Sequence, residues 1–332
     1  MLRGRGIVHN YYLISISAGF LLIAGLLDAQ QYNSFSQYSF NPFLINPAAA
    51  GSDGYTTIQL IARNQWIGIK DAPGTQVFNI QTRLYKGLHI PTSSSVRRKY
   101  NRPKRSGKVG LGFQAIHDKA GIFSRSGIRF SYAYHMKINR SQFSFGTALN
   151  ICQVRIEKED IVLEVPDEAY LNNSKLFTLI PDMDAGVFFS GRYYYSGFSV
   201  DNLTNAFGKL DLYQISSNRK RIYNILGGHK FELSDILIIE PSVLLQWTEF
   251  KTLQSDLTFG SNLYQHYWLA VTYRTTKAIS IQAGVNINKL YIGYAYDHNF
   301  VALQKYCCGS HELMIALKLG DNARKYKWLD RY

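Results

Sequence analysis

Residues 278–287 read AISIQAGVNI. Successive side chains of an extended chain point to opposite faces, so Ile279, Ile281, Ala283, Val285 and Ile287 share one side and Ser280, Gln282, Gly284 and Asn286 the other. A helix would scatter both sets around its circumference. One face suits hydrocarbon and the other a packed or watery interior, which is the alternation of a transmembrane β-strand.

The same alternation recurs along the chain. It predicts strands at 55–64, 74–84, 108–117, 125–138, 142–155, 182–190, 192–201, 220–231, 236–249, 254–262, 266–276, 278–287, 289–297 and 310–319. Each is near the roughly 9–11 residues that a tilted strand needs to cross a bilayer. The predicted fold is therefore all-β, a transmembrane antiparallel β-barrel of about 14 strands, an even count that brings both ends of the barrel to one side. Composition agrees without demanding it: mean hydropathy is only −0.15, but 14% of residues are aromatic, with 24 Tyr to supply interfacial girdles.

The amino terminus indicates the compartment. Arg3 and Arg5 precede an apolar run at 14–27, and small Ala29 follows, the pattern of a secretory signal peptide over 1–29. A membrane-anchor helix is the competing reading, disfavoured because Ser15, Ser17, Gly19 and Gly25 interrupt a short run. No cysteine lies near the cleavage point, which argues against a lipoprotein. The chain then divides into a cap or plug at 30–54, a barrel at 55–319 and a basic tail at 320–332. In 30–54, the pairs Asn41-Pro42 and Asn46-Pro47 resist both helix and strand ladder, while Phe35, Tyr38, Phe40, Phe43, Leu44 and Ile45 need burial. The segment is expected to cover the periplasmic mouth.

Strand parity sets sidedness. If the chain starts in the periplasm, connections at 139–141, 191, 232–235, 263–265 and 288 are periplasmic and short, whereas those at 156–181, 202–219 and 298–309 face outward. The net charge is +14, or +13 once Arg3, Arg5 and Asp28 leave with the signal peptide. It is unevenly placed: Arg97, Arg98, Lys99, Arg102, Lys104 and Arg105 lie on the inner side, with Arg324, Lys325, Lys327 and Arg331 in the tail. Glu157, Glu159, Asp160, Glu164, Asp167 and Glu168 lie on the outer side. The basic groups suit anionic headgroups of the inner leaflet, or an acidic periplasmic partner. Arg63 and Trp66 are expected at the exit of the first strand, Trp66 in the girdle and Arg63 reaching water or a headgroup, or gripping a partner.

Motifs for chemistry are incomplete. His311-Glu312 lacks the second histidine of a zinc-protease motif, and GLGFQA at 110–115 matches a dinucleotide pattern only formally, inside a strand with no helix after it. Its glycines instead make room in the wall. Asp182 and Asp184 share a strand face, but no further oxygen ligand follows. His117-Asp118 reads as a strand-end pair. Cys307-Cys308 is read as unbridged, with Cys152 packed in a strand. Tyr100 within the basic block resembles nucleic-acid patches, but export excludes that partner. No catalytic residue, metal or cofactor is expected.

Several segments resemble the PorP/SprF-type membrane proteins of the type IX secretion system of Bacteroidetes. FSQYSFNP at 35–42, INPA at 45–48 and Gly51-Ser52 are similar to that family's opening FSQYMFNPLFINPAYAGS. RNQWIG at 63–68, with Gln65, and APGT at 72–75 are similar to its RQQW.G..GAP element. DMDAG at 182–186, YSGFSV at 195–200, EPS at 240–242, YIGYAYD at 291–297 and GSHEL at 309–313 continue the likeness in order. The resemblance implies a non-enzymatic barrel, integral to the bacterial outer membrane. It would assist secretion or surface anchoring of cargo adhesins, gliding types included, through their C-terminal signal domain, with periplasmic ring or motor components as partners. Cys307-Cys308 and the basic loop depart from the pattern. The competing reading is a channel for small or hydrophobic ligands, resembling the fatty-acid transporter barrels.

Overall fold

The computed structural model describes residues 35–84, 108–138, 141–156, 177–204, 220–234, 236–249, 252–264, 266–300 and 306–320. Three 3-10 turns, Ser36–Ser39, Pro42–Leu44 and Pro47–Ala49, precede the strands. The strands are β1 Thr56–Asn64, β2 Gly74–Leu84, β3 Val109–Ala120, β4 Phe123–Ile138, β5 Ser141–Ile156, β6 Phe177–Ser190, β7 Tyr194–Asp201, β8 Ile222–His229, β9 Phe231–Glu232, β10 Leu237–Thr248, β11 Leu253–Leu263, β12 Tyr267–Arg274, β13 Ala278–Ile287, β14 Leu290–Asn299 and β15 Ser310–Leu319.

Each strand pairs antiparallel with its neighbours in sequence, except that β8 and β9 both pair with β10 and not with each other, and β15 pairs with β1 from Thr56↔Leu319 to Asn64↔His311. That last pairing closes the ring. The two-residue β9 continues β8 along β10, so the wall has 14 positions. Closure leaves no edge, as hydrocarbon requires of a backbone that has no water to bond.

The period of two sorts the side chains as the sequence predicts. Leu60, Phe78, Phe130, Leu149, Phe259, Leu269 and Ile281 are exposed on the outer wall. Gln59, Asn79, Ser144, Asn224, Thr272 and Gln282 are buried inside. Short connections keep the ring regular: Asn288, alone with Lys289 between β13 and β14, adopts φ +58, a left-handed conformation that asparagine tolerates.

Two prolines explain departures from the predicted strands. β6 begins at Phe177 rather than 182, running through Pro181. Among the described residues its strand pairing with β7 covers only Ala185–Ser190, so Pro181 interrupts no ladder on that side. The predicted strand 220–231 is split at Lys230. Across from it the register jumps from Ile239↔Phe231 to Ser242↔Gly228, and Pro241, which has no N–H, sits at the interruption.

Candidate functional site

The ring is filled by its own amino-terminal segment. Tyr38, Phe43, Leu44, Ile45, Ala48, Ala49 and Ala50 are buried and pack on Ile61, Val77, Phe188, Leu226, Leu244 and Met314, all on inward-facing strand positions. The local sequence sets the shape of the segment: the side chain of Asn41 accepts from Phe43 N, and that of Asn46 from Ala48 N, each capping a turn that opens with Pro42 or Pro47. The free ends of both amides bind the wall. Asn41 Nδ2 donates to Gln59 Oε1 at 2.6 Å, and its Oδ1 accepts from Gln81 Nε2 at 3.1 Å. Asn46 Nδ2 donates to the carbonyls of Val187 at 2.9 Å and Phe198 at 3.2 Å.

Two wall glycines are required by this close approach. A Cβ at Gly146 would stand 2.3 Å from Ala48 N, and one at Gly110 would stand 2.0 Å from the carbonyl oxygen of Ala50. Both meet backbone, which has little freedom to retreat. Gly110 thus opens the formal dinucleotide match for a packing reason. Beside it, His135 Nε2 lies 2.9 Å from the same Ala50 oxygen, and its Nδ1 lies 2.8 Å from Ser144 Oγ.

Buried ions hold the start of the segment. Arg63 bonds Asp297 Oδ2 at 2.5 Å and Glu312 Oε2 at 3.0 Å. Ser36 sits among them: its N–H donates to Glu312 at 2.9 Å, its hydroxyl donates to Asp297 at 2.8 Å and accepts from Arg63 at 3.0 Å. Arg274 extends the group, 3.6 Å from Asp297 and 3.1 Å from Asp256. A second group lies across the lumen, where Arg129 joins Asp184 at 2.8 Å and Asp201 at 3.1 Å.

These placements correct two expectations and bear out a third. Arg63 does not reach water or a headgroup: its side chain is 5% exposed, because position 63 shares the parity of inward Thr57, Gln59 and Ile61. His117-Asp118 is not at a strand end, since β3 continues to Ala120. The two side chains point apart, His117 Nδ1 to Ser126 Oγ at 2.9 Å and Asp118 to Thr75 Oγ1 at 2.7 Å. Asp182 and Asp184 do share the inner face, but Asp182 accepts from Thr204 Oγ1 at 2.6 Å and Asp184 serves Arg129.

Asn41, Pro42, Asn46, Pro47 and Arg63 thus meet in one lumenal assembly. Gln65 is buried at the end of β1, its N–H donating to Pro73 O at 2.8 Å, and Trp66 follows in the turn at φ +49. Arg97, Arg98, Lys99, Arg102, Lys104 and Arg105 lie outside the described residues, as do the acidic block and the tail. All three cysteines are unbridged, Cys152 being buried. Asp256 and Arg274 escaped the sequence reading, and Asp297 and Glu312 entered it only as parts of motifs and not as an ion group, although each is a charge at a position whose parity is inward.

The family model for type IX secretion system membrane proteins PorP/SprF matches residues 27–317. The chain belongs to the PorP/SprF family. No curated protein matches it. Among solved structures, this PorP/SprF chain is similar to the toluene transporter TbuX of Ralstonia pickettii, with 8% identity, covering 83% of this chain and 92% of that one at a TM-score of 0.48. A Pseudomonas aeruginosa FadL homologue is similar with 11% identity, covering 86% and 94% at 0.43. A mutant porin of Rh. blastica is similar with 8% identity, covering 80% and 99% at 0.33.

Proposed function

We propose that this PorP/SprF protein is an outer-membrane component of type IX secretion that assists export or surface anchoring of cargo adhesins through their C-terminal signal domain. Its signal peptide, residues 1–29, is removed, and the strand ends bearing 65–73 and 306–309 face outward. The observation that carries this reading is the filled lumen. Residues 35–54 occupy it, and among the described residues two spaces beside them measure about 50 Å³ and about 40 Å³. A barrel so blocked serves as a platform rather than a conduit for small ligands. The basic residues 97–105 supply a docking surface for an acidic periplasmic ring or motor component.

The test is co-purification from detergent extracts together with deletion of the gene. A cargo protein bearing a type IX terminal domain should accompany the barrel, and its surface display should fail without it. Absence of such a protein, with display intact in the deletion strain, refutes the assignment. Swelling of proteoliposomes in small sugars would instead favour the channel.

A further inference from the structure

One flank of the outer wall departs from the apolar pattern. Gln76, His117, Ser126 and Gln153 pair in register across β2, β3, β4 and β5 and form a continuous polar rung on the face that carries Leu60, Phe78, Ile128 and Ile151. The next rung toward the hairpins runs Gly74, Lys119, Ser124 and Arg155. The opposite flank differs: its last outward pair on β12 and β13 is Tyr273↔Ile279, and on β8 and β10 Trp247 stacks on Tyr223 at 5.2 Å. The polar rung itself lines a groove of about 690 Å³ together with Leu60, Phe78, Ile128, Ile151, Leu313 and Ile315. Above it, a hollow of about 240 Å³ is lined by Asn64, Asp71, Gln76, His117 and Lys119.

We infer that this flank holds one phosphorylated glycolipid of the outer leaflet, of the lipid A kind. Its acyl chains lie in the groove, its sugar hydroxyls meet Gln76, His117, Ser126 and Gln153, and its phosphate is drawn to Lys119 and Arg155. Charge complementarity decides the occupant. A cation on a lipid-facing wall is tolerated only near the interface, so Lys119 and Arg155 mark headgroup depth, where an anionic headgroup is attracted to them. The hydrogen-bonding rung directly beneath matches the junction between sugar and chain. Asp71 offsets one of the two positive charges and favours a head that brings donors as well as phosphate. The choice of leaflet rests on the sidedness proposed above.

The full-length barrel would be reconstituted in phosphatidylcholine nanodiscs containing lipid A or phosphatidylglycerol, and retained lipid counted by native mass spectrometry. Wild type should retain one lipid A, and K119E/R155E should weaken retention more than about twenty-five-fold, since loss of each basic group near an anionic surface costs about fivefold and the new carboxylates repel the phosphate as well. H117L/S126A should weaken it less, and K277E on the opposite flank should leave it unchanged. Heat-modifiability on gels checks that each variant folds. Equal retention by wild type and K119E/R155E overturns the proposal, as does equal retention of phosphatidylcholine. Preference for phosphatidylglycerol over lipid A also overturns it, while leaving the cargo assignment untouched.

Discussion

Replacing Arg63 by methionine should be among the most damaging single changes in the wall. Two guanidiniums, Arg63 and Arg274, face three carboxylates, Asp256, Asp297 and Glu312, so the buried group carries one excess negative charge. Arg63→Met raises the excess to two and leaves Glu312, whose side chain is 1% exposed, without its cation. Removing one partner of a buried pair costs about 3–5 kcal/mol, chiefly as the desolvation of the charge left behind. Arg63 serves two carboxylates as well as Ser36, so the upper end of that range is expected.

The triple change R63M/D297N/E312Q supplies the control. It leaves Arg274 with Asp256, a balanced pair, and keeps an amide oxygen near the Ser36 N–H. Stability should return to within about 2 kcal/mol of wild type, since replacing a whole buried ion group is near neutral. The measurement is urea unfolding of the detergent-folded barrel, followed by the fluorescence of its 4 Trp. A methionine variant within about 1 kcal/mol of wild type would refute the reasoning, as would a triple variant no better than the single one.

Three further outcomes follow from the lumen. Gly146→Val places side-chain atoms against Ala48 and should expel residues 35–54, seen as new protease cleavage there and as swelling of proteoliposomes that the wild type does not show. Asn46→Ala loses two bonds to wall carbonyls and a turn cap, and should lower stability by about 2 kcal/mol in the same urea assay. Phe43→Ala empties a site that is 0% exposed and should cost about 3–5 kcal/mol. Neutralising 97–105 should abolish capture of an acidic periplasmic partner in a pull-down while leaving the barrel folded, because β2 ends at Leu84 and β3 begins only at Val109.

Sequence alone determined which face of each strand meets lipid, and with it the strand count, because a period of two is a local property readable from ten residues. It also marked 30–54 as a segment that needs burial but cannot join the sheet, from its two Asn-Pro pairs and its aromatics. The tertiary structure alone decided which residues meet inside. Arg63 reaches Asp297 and Glu312 only through closure of β1 on β15, across 234 and 249 residues of chain. Ala48 rests on Gly146 because the register of β4, β5 and β6 brings that glycine beneath it. Parity says that a side chain points inward. What it touches there depends on the stagger of every strand around the ring, which no local pattern carries.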